Sequence, residues 1–87
     1  MSRYFFDVHE PRFSARDYEG TECSDQKMIT CEALQALCQI AADSPEGFVG
    51  HDQGLSVTVR DDQDRTVLTA SLNLTAAWHA EEEHQAA

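Results

Sequence analysis

The chain has 87 residues, of which 6 are Lys or Arg and 16 are Asp or Glu, so its formal net charge at pH 7 is −10. This length allows one small domain with a single hydrophobic core. The acidic balance excludes the basic stripe with which proteins bind nucleic acid, and it disfavours anionic membranes, so we expect neither as a direct partner.

The apolar pattern and the cysteines predict a cytoplasmic protein. No apolar stretch reaches the roughly 20 residues that a membrane-spanning helix needs. The first residues lead into a strand pattern without a signal-peptide core. Cys31 and Cys38 would lie about 10.5 Å apart along a helix, too far for a disulfide within one chain. With Cys23 the cysteines number three, and a reducing cytoplasm fits this odd count.

Two strands are predicted at the start of the chain. Residues 3–8 alternate with the period of a β-strand. Pro11 interrupts the pattern because it lacks the amide that a strand ladder needs. A shorter, more polar strand is predicted from about Phe13 to Tyr18, and a turn follows at Gly20, which can take a positive φ.

One long amphipathic helix is predicted over residues 26–43. Ser24 or Asp25 caps it in this interpretation, because either side chain can accept a hydrogen bond from a first-turn amide. Pro45 ends the helix, since it disfavours helical geometry in the residue before it. The apolar positions recur at helical spacing and are expected to lie against the sheet. They are Ile29, Ala33, Leu34, Leu37, Ile40 and Ala41.

A β-hairpin is predicted after the helix. The loop over residues 45–54 is rich in glycine, and Phe48 and Val49 are expected to fold back onto the edge of the core. Apolar residues then alternate with polar ones over residues 55–60 and 66–74, on either side of a polar turn. This alternation predicts antiparallel strands with one hydrated face.

These elements predict an α+β fold in the order ββαββ. A four-stranded, mainly antiparallel sheet carries the single helix on one face. Residues 1–75 form one domain in this prediction, and residues 76–87 form an acidic C-terminal tail that we expect to be flexible.

The chain resembles a known family. The resemblance is carried by Arg3-Tyr4-Phe5-Phe6-Asp7-Val8, by Asp17-Tyr18-Glu19-Gly20-Thr21-Glu22, by a helix led by Asp25, and by Val59-Arg60-Asp61 before Val67-Leu68. These segments are similar to small uncharacterised proteins of rhizobia and related Alphaproteobacteria, catalogued as the domain of unknown function DUF6894. The chain departs from that pattern in its cysteine-bearing helix and in lacking a glycine at Gln63 and Asp64. The resemblance implies a bacterial cytoplasmic protein of this layout, and it implies no activity or ligand.

No motif predicts an enzyme, a metal site or a cofactor. The cysteines and histidines lack the close pairs of a zinc site. The aspartates of residues 61–64 lack the ligand spacing of a calcium loop and fit a polar turn. Cys23 is the candidate reactive thiol, because amides at a helix N-terminus favour a thiolate. Cys31 and Cys38 are expected to be small buried apolar side chains.

The second face of the sheet is the candidate interaction surface. A single helix covers one face of the sheet. Because successive side chains of a strand point to opposite faces, every second residue of each strand lies on the uncovered face. They are Phe5, Thr58, Val67, Thr69 and Ser71. One interpretation is an ordinary hydrated face. Another is self-association through Phe5 and Val67, and pairing of edge strands between two chains would serve equally well.

Three functional hypotheses stay open at this point. The leading one is a non-enzymatic protein-interaction or regulatory module, which includes a homodimer. The second is an antitoxin-like accessory protein whose acidic surface binds a basic partner, an analogy at the level of the fold alone. The third is a thiol-based stress sensor that uses Cys23.

Overall fold

The computed structural model describes residues 2–11, 14–49 and 54–79. These ranges form five strands, one α-helix and one short 3-10 helix. The elements are β1 (Ser2–His9), β2 (Ser14–Ala15), β3 (Thr21–Cys23), α1 (Gln26–Asp43), the 3-10 helix (Pro45–Phe48), β4 (Leu55–Arg60) and β5 (Thr66–Leu72). The predicted α+β fold is confirmed, with one helix on an antiparallel sheet.

The sheet is antiparallel, and β1 and β4 form its centre. β4 pairs with β1 on one side and with β5 on the other. The far side of β1 pairs with β3 along Ser2–Tyr4 and with β2 along Val8–His9. β5 is therefore one edge of the sheet, and no other strand of the described ranges lies beyond it.

The predicted number of four strands is wrong, because the segment beside β1 is divided. The strand expected from Phe13 to Tyr18 covers only Ser14–Ala15, and Phe13 lies outside the described residues. A further strand forms at Thr21–Cys23, beyond the predicted turn. Between them the Asp17 side chain takes the place of a strand partner, since its Oδ2 accepts a hydrogen bond from the Phe6 amide at 3.0 Å.

α1 has the bounds that the sequence predicts. Asp25 is the cap, and its Oδ1 accepts a hydrogen bond from the Met28 amide at 2.9 Å. The helix ends at Asp43, and the Ser44 amide still donates to the Ile40 carbonyl oxygen. Pro45 then opens the 3-10 helix, where its missing amide donor costs nothing.

The core lies between α1 and one face of the sheet. Its buried residues are Cys23, Ile29, Ala33, Leu37, Leu55, Val57 and Val59. Tyr4, Phe6, Val8 and Phe48 pack around them and are partly buried, as predicted for Phe48. Full burial of each Leu, Ile or Val side chain contributes about 1.5–3 kcal/mol, so this cluster accounts for much of the stability.

Four side chains that we expected in the core are exposed. Leu34 is 48% exposed, Val49 is 74% exposed, and Cys31 and Cys38 are also on the surface. Leu34 lies about 60° around the helix from the buried Leu37, so it sits on the flank of α1.

Candidate functional site

Arg60 is the centre of an ion-pair network on the sheet face opposite the helix. Its Nε donates to Asp7 Oδ2 at 2.6 Å, and its Nη2 donates to Asp7 Oδ1 at 3.0 Å. The two side chains are only 12% and 11% exposed. The guanidinium also donates to the Asp17 carbonyl oxygen and to Asp64 Oδ1, and it lies 5.0 Å from the centre of the Phe5 ring. This network joins β1, β4 and the loop before β3.

The Asp17 carboxylate shapes that loop. Its Oδ1 accepts hydrogen bonds from the amides of Glu19 and Gly20, each at 3.1 Å. The Asp17 amide in turn donates to Asp7 Oδ1 at 2.9 Å. The loop is therefore held to the ion pair through the shared carboxylate of Asp7.

Gly20 closes the loop over Phe5. Its φ is +76°, and a Cβ at this position would lie 2.7 Å from Arg3 Cγ and 2.9 Å from Phe5 Cε2. A side chain would thus be strained by its backbone conformation and by its neighbours. Phe5 is consequently half-buried between the Gly20 loop and the Arg60 guanidinium.

The network keeps its charged groups ionised. The hydrogen bond from Arg60 is the largest cause of the lowered pKa of Asp7, although burial acts in the opposite direction. Burial raises the pKa of Asp17, but hydrogen bonds from the Phe6, Gly20 and Glu19 amides offset it, and the net pKa is lowered. The same ion pair raises the pKa of Arg60. Four of the five N–H groups of Arg60 are occupied. The network therefore has a structural role, which is to connect β1, β4 and the Asp17 loop.

Stability should depend on pH in the acidic range. The folded-state pKa values of Asp7 and Asp17 lie below those of the unfolded chain, so their contribution is complete above about pH 4 and is lost as the pH falls further. In thermal unfolding between pH 7 and pH 2 we expect the loss to begin below about pH 4. Asp7→Asn should show a shallower decline than the wild type. Identical slopes would mean that the Asp7 pKa is not lowered.

The structure separates the five residues predicted for the interaction surface. Thr69 and Ser71 are exposed on one face of β5, whereas Thr58 is half-buried beside them. Phe5 is half-buried under Arg60. The placement of Val67 on this face is wrong. The pairing of β4 with β5 shifts register between Val59 and Arg60, which interrupts the alternation of side chains in β5, and Val67 lines a notch on the helix side.

Cys23 does not have the properties of a reactive thiol. It is 2% exposed in the core. Burial is the main cause that raises its pKa, and the charges of Glu32, Asp25 and Glu22 raise it further. The apolar surroundings and acidic neighbours of Cys23 oppose the thiolate that a helix N-terminus would favour, so they count against the predicted reactive thiol.

The open edge of the sheet carries the longest uncharged stretch of the chain. Residues 66–80 contain no Asp, Glu, Lys or Arg, although 25% of the chain is charged. β5 supplies the first seven of them, and residues 73–79 continue as an exposed segment without regular structure. Val67 is 49% exposed, Leu74 is 42% exposed and Trp78 is 99% exposed. Such an edge lacks the charges and prolines that usually protect edge strands.

The notch lies between the start of β5 and the first turns of α1. It has a volume of about 270 Å³. Its lining residues are Tyr4, Gln26, Ile29, Thr30, Val67 and Leu68. Its exposed lining is polar as well as apolar, since Gln26 and Thr30 stand beside Tyr4 and Ile29.

The Asp7–Arg60 pair was not predicted from the sequence. The available signal was one acidic and one basic residue at outward positions of two predicted strands. Recognising the pair required the register, which sets Phe5 opposite Arg60 and Asp7 opposite Thr58, so that the two charges meet on a diagonal.

The described residues hold neither a metal-ligand cluster nor a membrane-spanning helix. They contain no group of three or more His, Cys, Asp or Glu side chains placed to hold a metal ion. No helix in this part of the chain combines the length and apolarity that crossing a bilayer requires.

A family model matches residues 3–73, and its description is Domain of unknown function (DUF6894). No curated protein and no solved structure gave a significant match. The matched range contains the whole Arg60 network, α1 and β5. It ends one residue after β5, so Trp78 lies beyond it.

Proposed function

The chain belongs to the DUF6894 family. For this member we propose a non-enzymatic protein-interaction module that binds a partner strand along the outer edge of β5. The observation that carries the proposal is the exposed, uncharged edge strand Thr66–Leu72. Its outward backbone N–H and C=O groups provide a template to which an extended segment can add.

The contrast between the two edges supports this choice of β5. The opposite edge consists of β2, with two residues, and β3, with three residues. The Asp17 loop separates them, and Arg3 and Arg16 form surface ion pairs there. Short, interrupted and charged edges do not accept a further strand readily.

The properties of the polar residues support a non-enzymatic role. The most buried charged cluster of the described residues, Asp7 with Arg60, uses its hydrogen-bonding groups internally. The exposed free thiols of Cys31 and Cys38 suit a reducing compartment, which supports a cytoplasmic location within the proposal.

Site-specific photo-crosslinking in the native cell tests the proposal. Thr69→benzoylphenylalanine places the probe on β5, and Ala15→benzoylphenylalanine is the matched control on the opposite edge. We expect covalent protein adducts from position 69 and few from position 15. No adducts from position 69, or equal yields from both positions, would contradict binding at β5.

A second candidate is the antitoxin-like binding of a basic partner. The formal net charge of −10 favours it, because an acidic surface attracts basic proteins and accelerates their association. In that case the adducts would contain a basic protein, and its binding would weaken steeply with added salt. Adducts whose yield does not change with salt would argue for strand pairing alone.

A further inference from the structure

Two free thiols lie on the exposed surface of α1. Cys31 and Cys38 are seven residues apart, which corresponds to about 10.5 Å along the helix axis. Leu34 follows Cys31 by three residues and precedes Cys38 by four, and it is 48% exposed between them. Residues with this spacing are neighbours on one side of a helix. The three side chains therefore form a continuous thiol stripe along α1.

The two exposed thiols can form disulfides only with another molecule. A disulfide joins Cα atoms that are about 4.4–6.8 Å apart, and two helical turns hold Cys31 and Cys38 farther apart than that. Cys23 is the third cysteine of the chain, and it is 2% exposed in the core. We propose that a second copy of this chain docks antiparallel on the thiol stripe, and that oxidation joins Cys31 of each copy to Cys38 of the other.

The spacing of the thiols suits a two-fold axis. When the axis passes between Leu34 and Gln35, position 31 of each helix lies opposite position 38 of the other, so both pairs form together. Packed helices have axes about 8–10 Å apart, and their Cα atoms lie about 2.3 Å from each axis. Facing Cα atoms are then about 3.4–5.4 Å apart, a range that overlaps the one a disulfide requires.

The charges of α1 favour a second copy in the antiparallel orientation. Two chains with a net charge of −10 each repel one another, so a contact between them must avoid carboxylates. Glu32 lies about 100° around the helix from Cys31, and Asp43 lies about 140° from Cys38, so the acidic residues of α1 are off the thiol stripe. Antiparallel docking sets the first turn, which contains Lys27, beside the negative last turn of the second helix.

The oxidation is a thiol–disulfide exchange with a small-molecule disulfide such as glutathione disulfide. The thiolate of Cys31 attacks one sulfur of glutathione disulfide, which forms a mixed disulfide and releases one glutathione. The thiolate of Cys38 from the second copy then attacks the Cys31 sulfur, which forms the bond between the copies and releases the second glutathione. Two protein thiols are thus oxidised to one disulfide, and their protons leave on the two glutathione molecules.

The second disulfide forms more readily than the first. Once one pair is joined, the other pair is held together at a high effective concentration. A reducing glutathione pool keeps the thiols free, and a rise in glutathione disulfide links the chains. The inference goes beyond the binding of a partner strand, since it uses α1 and leaves the edge of β5 open.

Oxidation of the full chain in a glutathione buffer tests the proposal. We expect the wild type to give a dimer in non-reducing electrophoresis, with a mass four hydrogen atoms below that of two reduced chains. Cys31→Ser and Cys38→Ser should each give at least about 10-fold less dimer, because each removes one member of both pairs. An equimolar mixture of the two variants should recover a dimer, since Cys38 of the first variant then meets Cys31 of the second.

Moving one thiol around the helix is the matched control. Gln39→Cys in the Cys38→Ser variant keeps two exposed thiols on α1 but turns one by about 100° away from the stripe. This variant should give as little dimer as Cys38→Ser alone. A dimer as abundant as that of the wild type would indicate random collision and overturn the proposal. Full dimerisation of either single variant, no dimer in the mixture, or mixed disulfides with glutathione alone would overturn it too.

The photo-crosslinking experiment separates this proposal from the proposed function. If the variant with both Cys31→Ser and Cys38→Ser loses the dimer and still forms adducts from position 69, both proposals are supported. If the oxidised wild type stays monomeric while position 69 forms adducts, the interaction module stands and the disulfide link is overturned.

Discussion

Asp7→Asn should lower the free energy of unfolding by about 3 kcal/mol, because it leaves the guanidinium of Arg60 without its bidentate partner in a nearly buried position. The Asp7 side chain is 11% exposed and accepts hydrogen bonds from Nε and Nη2 of Arg60 and from the Asp17 amide. Denaturant unfolding of the purified variant measures the loss.

Asp64→Asn is the matched control for this substitution. Asp64 is a second partner of Arg60, but its side chain is 69% exposed, so the pair is screened by water. Its φ of +64° is one that asparagine tolerates, which keeps the backbone unchanged. We expect a loss below about 1 kcal/mol. Equal losses in the two variants would show that burial adds nothing to the Asp7–Arg60 pair.

Leu37→Ala should lower the free energy of unfolding by about 2–5 kcal/mol, because it opens a cavity between α1 and the sheet. Leu37 is 2% exposed and belongs to the buried cluster with Val57 and Val59. In a chain of this length such a loss is a large part of the total stability. Thermal or urea unfolding measures it.

Leu34→Ala is the matched control, because it makes the same truncation on the exposed flank of α1. Leu34 is 48% exposed, and alanine has a slightly higher helix propensity than leucine. The expected change is below about 1 kcal/mol. A loss as large as that of Leu37→Ala would mean that Leu34 is covered in solution.

The elements that depend on local patterns were predicted well. The bounds of α1 followed from its cap and from the proline after it, because both act within one helical turn. β4 and β5 followed from alternation, since a strand with one buried face must repeat every second residue. The absence of charged residues from 66–79 can also be read directly from the sequence.

The candidate site was harder to predict because it depends on register and on sheet order. Arg60 and Asp7 are distant in sequence and meet only when β1 pairs with β4. The register shift in β5 carries Val67 to the notch, and a shift of one residue reverses the face of a side chain. Cys23 became part of the core because β3 packs beside α1, which no local pattern indicates.

Sequence periodicity and capping thus define one helix, a hairpin and an apolar face, since these arise from neighbouring residues. The long-range pairing of strands defines the ion-pair network and the open edge of the sheet. It joins Asp7 to Arg60, divides the edge beside β1, and leaves β5 open at the other edge of the sheet. Which edge stays unpaired depends on contacts between segments far apart in the chain, and local propensity carries no information about them.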